Sequence, residues 1–325
     1  MTKSNMRRVF IQPCEKVSKS LSWRAEKRII DLINTIGDIT IADSIEDDVD
    51  LAEFYNLDSF IEHEGQITSL GIPFIYHAYI SRDDFNIQRK EKTIVDYELR
   101  KDGIRVLNKA ACVIVFFETQ KEELIKFGVT SRIEVIHPIG INYKNLDELT
   151  KAAFKKVNQI YSDNKYVTSI EEYEWRDKYQ DIEILSRIMP NIEFFNIALR
   201  KAYSKKFNAY STDLKNNHFL YRLSIPLIPS LIHNSAVHII RDNEFCCLFL
   251  MDYICTSIPV LSLGNIFLDS LLKKEDRSDL NDIDNVYNVL SEKILTGVST
   301  EYKEYTEYNL IDEAKALADI YNSIL

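Results

Sequence analysis

Short apolar runs alternate with segments of helical spacing along the first 140 residues of the chain. The run RRVFIQP, residues 7–13, stops at a proline and predicts a first strand, and residues 22–36 follow with the spacing of a helix. Further strands are predicted at residues 58–61, 73–78, 112–117 and 133–137. Such alternation favours a parallel sheet that is covered by helices on both faces.

One helix of this first half has its own start and stop signals. Thr119-Gln120-Lys121-Glu122 matches a capping box, in which Thr119 caps the helix and Glu122 reaches back to it. Gly128 predicts the end of the same helix.

A second alternation begins at residue 166, after a polar stretch at residues 142–165 that is predicted to be helical. Strands are predicted at residues 166–169, 192–197, 236–240 and 260–263, and helices at residues 284–295 and 309–324. In the last helix an apolar stripe recurs at intervals of three and four residues, formed by Leu310, Ala314, Leu317, Tyr321 and Ile324. We therefore predict two α/β domains, at residues 1–141 and 142–325.

Composition and charge narrow the classes of protein to consider. The chain has 325 residues and a net charge of −10, and a nucleic-acid-binding surface is not expected because the phosphate backbone requires a basic face. Four of the five cysteines lie in apolar runs, which is typical of buried free thiols in a reducing compartment. No apolar run has the length of a spanning helix or of a signal peptide, so we expect a cytoplasmic protein.

Two segments resemble the retaining glycosyltransferases of the GT-B fold, family four. The first runs from LNKAACVIV at residues 107–115, through KEEL and FGV, to IEVIHPIGIN at residues 133–142. It resembles the end of the first domain in that family. The second is NEFCCLFLMDYICTSIPV at residues 243–260, in which Glu244, Asp252 and the pair Pro259-Val260 have the spacing of two acids and a Pro-Val turn in the family.

The resemblance implies two Rossmann-like domains that face each other across a cleft, with the acceptor on the first domain and the donor on the second. It also implies that the last helix crosses back to the first domain. Glu244 would face the donor sugar, Asp252 would bind the ribose, and the backbone at Cys246 and Cys247 would meet the diphosphate. Two side chains that are eight residues apart in an α-helix lie on the same side of it, as Glu244 and Asp252 would. The free N–H groups at a helix N-terminus favour a bound phosphate.

Further donor and sugar contacts follow from the same resemblance. Lys178 aligns with a family lysine, and Arg176 stands in for a family arginine. Arg241, just before the helix that Glu244 is predicted to open, is a further candidate to reach a phosphate, although a lone basic residue at a strand end is commonly structural. His77, and with less support His63, matches a histidine at a strand end near the donor sugar. No His/Cys cluster has metal-ligand spacing, so no metal site is predicted.

The same residues also have simpler interpretations. Acids at helix starts are common caps, an Asp on an amphipathic helix is commonly solvated, and a lone His is commonly a satisfied core residue. Residues 175–178 also fit a solvated loop of mixed charge. Phe245, Cys246 and Cys247 stand where the family has glycines, and the first strand lacks the family's Gly-rich loop after it.

The resemblance thus predicts a glycosyltransferase that moves a sugar, with retention, from a nucleoside-diphosphate sugar to a glycan, protein or lipid. The donor is a substrate, and no resident cofactor is expected. Two alternatives stay open: a sugar-nucleotide epimerase of the same fold, and a catalytically silent partner or chaperone subunit of the same fold, which the missing glycines favour.

Overall fold

Two parallel sheets form the framework of the protein. The computed structural model describes residues 7–12, 21–46, 48–90, 93–138, 166–171, 180–198, 214–221, 227–241, 244–245, 247–255, 258–279, 281–302 and 309–325. Across these ranges the chain forms two six-stranded sheets, one two-stranded hairpin and nine α-helices. The predicted α/β architecture with two sheets is confirmed. The predicted boundary at residue 141 lies outside the described residues.

The first sheet has the strand order β2-β1-β3-β4-β7-β8, with all neighbours parallel. Its strands are β1 (Arg7–Ile11), β2 (Ile39–Ala42), β3 (Leu51–Phe54), β4 (Phe74–His77), β7 (Cys112–Val115) and β8 (Ile133–Val135). The hairpin strands are β5 (Phe85–Lys90) and β6 (Thr93–Leu99). The helices are α1 (Leu21–Ile36), α2 (Leu57–Leu70), α3 (Lys101–Leu107) and α4 (Glu118–Lys126).

The second sheet has the order β11-β10-β9-β12-β13-β14 and is also parallel throughout. Its strands are β9 (Tyr166–Glu171), β10 (Glu193–Ala198), β11 (Asn217–Tyr221), β12 (Val237–Arg241), β13 (Val260–Leu263) and β14 (Arg277–Ser278). The helices are α5 (Gln180–Ile188), α6 (Leu227–His233), α7 (Cys247–Cys255), α8 (Ile283–Thr296) and α9 (Leu310–Ile324). None of the helices that the structure describes is long and apolar enough to cross a membrane.

Most of the predicted strands and helices are confirmed, but one strand prediction is wrong. Residues 58–61 lie in α2, and the strand is Leu51–Phe54 instead. Asn56 decides this boundary, because its side chain accepts a hydrogen bond from the Ser59 backbone N–H and so begins a helix. Gly71, at φ +66°, ends the same helix.

The predicted capping box of α4 is also wrong, although the helix itself is confirmed. Thr119 lies inside the helix, and the residue before the first turn is Phe117. The Gln120 side chain accepts hydrogen bonds from the backbone N–H groups of Phe116 and Phe117. Gly128, at φ +96°, follows the helix end as predicted.

Helix α9 packs against the first sheet and against α1. Tyr321 donates a hydrogen bond to Glu53 of β3, and Arg7 of β1 donates to Asn322 at 2.8 Å. On α1, Arg28 forms a buried ion pair with Glu313. The end of the chain therefore contacts its beginning, although the second sheet lies between them in sequence.

A second buried ion pair joins α1 to α7 across the two halves of the molecule. The Arg24 guanidinium binds both carboxylate oxygens of Asp252, with Nη2 at 3.0 Å from Oδ1. Asp252 is fully buried, and Arg24 is 8% exposed. Arg24 also donates to the carbonyl of Leu248 at 3.3 Å and lies over the ring of Phe249.

The chain segment between β4 and the hairpin contains a buried acid, Asp84. Its carboxylate accepts hydrogen bonds from the backbone N–H of Leu57 at 3.2 Å and from the Tyr76 hydroxyl at 3.0 Å. Burial raises the pKa of Asp84 from its ordinary value of 3.8 to about 8. The charged carboxylate is therefore unfavourable in the folded protein.

We expect Asp84→Asn to stabilise the protein, and increasingly so as the pH rises. A raised folded-state pKa means that the parent loses stability between its ordinary pKa of 3.8 and about 8, whereas Asn does not titrate. The advantage should grow by up to about 1.4 kcal/mol per pH unit from pH 5 to pH 8 in urea unfolding. Asp58→Asn, at an exposed acid of the same helix start, should show no such growth.

Removing one member of the Arg24–Asp252 pair should destabilise the fold. Arg24→Met leaves a buried carboxylate without its counter-charge, which costs about 3–5 kcal/mol. The double variant Arg24→Met/Asp252→Leu should recover most of that loss, because no buried charge then remains. Arg105→Met, at an exposed ion pair with Glu64, is the control and should cost less than about 1 kcal/mol. Additive single and double effects in urea titrations would contradict the pairing.

Candidate functional site

The carboxyl ends of the two sheets face each other. Tyr79, two residues after β4, stacks on Phe245, which lies between β12 and α7; the ring centroids are 6.1 Å apart and the planes differ by 6°. Gln120, in the first turn of α4, donates to the Cys247 sulfur at 3.0 Å. Residues that follow strands of one sheet thus contact residues that follow strands of the other.

The second sheet reverses its strand order between β9 and β12. From β9 the chain moves outward through β10 and β11, then returns to the other side of β9 to form β12. Open α/β sheets bind ligands in the crevice at such a reversal, outside the carboxyl ends of the strands. Arg241 ends β12 at this reversal, and Glu244 follows three residues later.

The Glu244 carboxylate is fully buried and has partners from two elements. The Tyr253 hydroxyl of α7 donates to Oε1 at 2.6 Å, and His238 Nε2 of β12 lies 3.3 Å from Oε2. His238 in turn bonds Thr168 of β9 through Nδ1, at 2.9 Å. A carboxylate oxygen accepts two hydrogen bonds, so each Glu244 oxygen keeps capacity beyond its described partner.

Glu244 lies before the helix that it was expected to open. Helix α7 begins at Cys247, whose buried thiol accepts the hydrogen bond from Gln120. Asn265 fixes the backbone of this turn, because its amide donates to the carbonyls of both Arg241 and Glu244. Cys246 lies outside the described residues.

Arg241 is a buried cation at the same edge. It is 1% exposed, and its Nη2 lies 3.4 Å from the Asp181 carboxylate at the start of α5. Burial lowers the pKa of Arg241 to about 10. Arg176 and Lys178, predicted to bind the diphosphate, lie in residues 172–179, outside the described part of the chain.

Asp252, predicted to bind ribose, lies two turns along α7 and faces α1. Both of its oxygens contact Arg24 of the first half of the chain. Sequence reasoning did not single out Arg24, since a lone arginine in an amphipathic helix is usually solvated.

His77 ends β4 at the carboxyl edge of the first sheet, as its predicted position requires. Its Nε2 lies 2.6 Å from Glu53 Oε2, and both side chains are buried. His63 lies instead within α2, where its Nδ1 contacts the Ser59 carbonyl, so its predicted strand-end position is wrong.

Glu53, Tyr321 and Gln120 were not predicted from the sequence to belong to the site. A charged residue inside the apolar run LAEF is a signal that could have identified Glu53, because a buried acid requires a partner. Among the described residues, no group of three or more His, Cys, Asp or Glu side chains is arranged to hold a metal ion.

Comparison by sequence gives no relatives: no protein-family model matches the chain, and neither does any curated protein.

Comparison by structure gives clear similarities at low sequence identity. The crystal structure of Anabaena HepE in complex with UDP and glucose has a TM-score of 0.68 and 14% identity, over 98% of this chain and 100% of that one. Sucrose-phosphate synthase from Thermosynechococcus elongatus has a TM-score of 0.63 and 12% identity, over 85% and 74% of the two chains.

An epimerase is similar over the whole chain as well. Methanocaldococcus jannaschii UDP-GlcNAc 2-epimerase, in complex with UDP-GlcNAc and UDP, has a TM-score of 0.59 and 11% identity, over 98% of this chain and 100% of that one. Together with the two sheets and their facing carboxyl ends, these similarities show that the chain has the GT-B fold.

Proposed function

We propose that the protein is a glycosyltransferase that uses a nucleoside-diphosphate sugar as its donor. The observation that carries this proposal is the reversal point of the second sheet, which holds the buried cation Arg241 and the buried acid Glu244. Phe245, next to Glu244, stacks there on Tyr79 at the edge of the first sheet. The similarity to HepE, whose crystal structures hold UDP with glucose or UDP-glucose, supports a uridine nucleotide as the first donor to test.

Arg241 supplies positive charge for the diphosphate in this proposal. The leaving nucleoside diphosphate gains negative charge as the glycosidic bond breaks, and a fixed cation in a dry site stabilises that charge strongly. Arg241 is held in such a site by Asn265, which binds its backbone, and by Asp181. Arg176 and Lys178 are proposed as further phosphate ligands on the basis of the sequence resemblance.

Glu244 holds the donor sugar. Its backbone is fixed by Asn265 and its carboxylate by Tyr253, so its remaining hydrogen-bonding capacity is preorganised for sugar hydroxyls. Asp252 is proposed to contact the ribose, in which case the hydroxyls add to its existing ion pair with Arg24. Cys247, the first residue of α7, is proposed to offer its backbone N–H to the diphosphate, and Cys246 is proposed for the same role on the basis of the sequence resemblance.

The first domain is proposed to bind the acceptor, with His77 at its carboxyl edge near the donor sugar. Transfer with retention follows from the sequence resemblance to family four. The chemistry proposed here uses side chains and the donor itself, with no resident cofactor.

Two other functions fit particular observations. An epimerase is favoured by the full-length similarity to UDP-GlcNAc 2-epimerase, and it requires the donor site without an acceptor. A catalytically silent partner subunit is favoured by the ion pair that Arg24 makes with Asp252. Incubation with UDP-GlcNAc separates the three. Release of UDP with GlcNAc passed to water supports transfer, recovery of the C2-inverted sugar, free or as its nucleotide, supports the epimerase, and no binding supports the silent subunit.

We expect Arg241→Met to weaken UDP binding roughly 10- to 100-fold in calorimetry, because a charge-assisted hydrogen bond contributes about 1.5–3 kcal/mol. Arg241→Lys should retain part of the affinity, since it keeps the charge but not the planar fork. The control is Arg187→Met, at an exposed arginine of α5 that pairs with Glu183, and it should leave affinity unchanged. Equal UDP affinity for the parent and Arg241→Met would contradict the proposal that the diphosphate binds at the end of β12.

Glu244→Gln should separate binding from turnover. Gln can still accept from Tyr253 and can donate to His238, so we expect stability within about 1 kcal/mol of the parent and nearly unchanged UDP affinity. UDP release from UDP-glucose should fall by roughly a hundredfold or more, because the lost charge acts on the reacting sugar. If Glu244→Gln instead lowers stability and UDP binding together, and turnover falls only as far as these losses explain, Glu244 has a structural role.

A further inference from the structure

Three buried groups from distant parts of the chain form one hydrogen-bonded chain at the edge of the first sheet. Glu53 of β3 is fully buried, His77 of β4 is 1% exposed, and Tyr321 of α9 is fully buried. The imidazole Nε2 of His77 lies 2.6 Å from Glu53 Oε2, and the Tyr321 hydroxyl donates to the other oxygen of Glu53.

The direction of these hydrogen bonds determines where the protons lie. Burial and the neighbouring Glu53 raise the pKa of the Tyr321 hydroxyl, so Tyr321 stays protonated and donates. Glu53, as a carboxylate, only accepts, so the proton between it and His77 lies on Nε2. In the neutral imidazole, Nδ1 then carries a lone pair and no proton.

The Nδ1 atom is buried and has no hydrogen-bond partner among the described residues. A buried polar atom without a partner is costly, and in native proteins it commonly marks a position that a ligand or a bound water completes. His77 is the last residue of β4, and two residues later Tyr79 stacks on Phe245 of the second half. The residue that carries the unsatisfied nitrogen therefore lies at the edge that faces the proposed donor site.

We propose that Glu53 and Tyr321 are positioning residues that hold His77 in the Nε2–H form and so present Nδ1 as a hydrogen-bond acceptor in the site. This proposal rests on the proposed function for the identity of the ligand, which is a hydroxyl of the sugar that is transferred. It makes the last helix of the chain part of the site, because α9 supplies Tyr321.

The positions of β3, β4 and α9 explain why these three side chains come together. Glu53 and His77 lie on the same face of adjacent parallel strands, where Glu53 is in register with Ile75 and His77 follows two residues later. His77 of β4 binds one oxygen of Glu53, and Tyr321 of α9 donates to the other. A phenol suits this position because it donates one proton without adding a charge.

A kinetic comparison of two α9 variants distinguishes positioning from simple stabilisation. Tyr321→Phe removes only the hydroxyl that binds Glu53, whereas Glu313→Gln disturbs the same helix at its ion pair with Arg28. Measured as UDP release from UDP-glucose below the unfolding range, Tyr321→Phe should lower kcat roughly tenfold with KM and UDP affinity unchanged. Glu313→Gln should lower thermal stability more and leave kcat at the parent value.

Equal kcat values for Tyr321→Phe and the parent would overturn the proposal, and so would parallel losses of kcat in both variants. Glu53→Gln gives a second check, because it keeps a hydrogen-bond acceptor for Tyr321 but removes the charge that fixes the His77 proton. Its kcat should fall at least as far as that of Tyr321→Phe.

An NMR measurement on the ligand-free protein decides the proton position without any activity. With ¹⁵N-labelled histidine, we expect the His77 proton on Nε2, in slow exchange with solvent, and faster exchange in Tyr321→Phe and Glu53→Gln but not in Glu313→Gln. A proton on Nδ1 in the parent overturns the proposal. A parent that neither binds UDP nor releases it from UDP-glucose refutes the proposed function instead, and the NMR result still decides the positions of the protons.

Discussion

Buried carboxylates need partners, and for several of the buried acids that the structure describes these partners come from distant parts of the chain. A charged group that is removed from water is costly unless an opposite charge or several hydrogen bonds compensate it. Three such acids lie between the sheets and the helices that join them, and their partners are more than 20 residues away in sequence. The pairs are Glu53 with His77 and Tyr321, Asp252 with Arg24, and Glu313 with Arg28.

These pairs hold α7 and α9 against the first part of the chain. Arg24 can reach Asp252 only if α1 lies against α7, and Tyr321 can reach Glu53 only if α9 returns to the first sheet. Apolar packing alone tolerates exchange of similar side chains, whereas an unpaired buried charge excludes alternative arrangements. We therefore expect the ion pairs to act on the specificity of the fold more than on its total stability.

The backbone of Tyr79 is strained, at the edge of the first sheet that faces the second sheet. Tyr79 has a φ of +64°, a conformation that a bulky residue adopts at a cost of about 1–2 kcal/mol. It is held there by a hydrogen bond from its hydroxyl to Glu123 and by the stack on Phe245, next to Glu244. Backbone strain of this kind persists where surrounding contacts determine the geometry, and it is common at functional sites. The aromatic contact couples the position of Phe245, and with it that of the neighbouring Glu244, to the first sheet.

Local patterns in the sequence determined much of the framework. The spacing of apolar residues, together with the residues that begin and end elements, predicted β4, β7, β12, β13 and the last two helices. This works because each element's apolar face must be buried wherever it packs. They failed at residues 58–61, where the helix cap at Asn56 overrides an apolar run that is short enough for either structure. They also missed β2, β11 and the hairpin, although Phe85–Lys90 of the hairpin alternates buried or half-buried residues with exposed ones.

Part of the candidate site could be predicted from the sequence, and part of it required the structure. The spacing of Glu244, Asp252 and the Pro-Val turn is local, and the sequence alone sufficed to select it, along with His77 at a strand end. The partners of Glu244 are also near it in sequence, whereas those of Asp252 and His77 come from other elements. Only the tertiary structure brought Arg24 to Asp252, Glu53 to His77 and Tyr321 to Glu53, because contacts between separate elements leave no periodic signal in a single sequence.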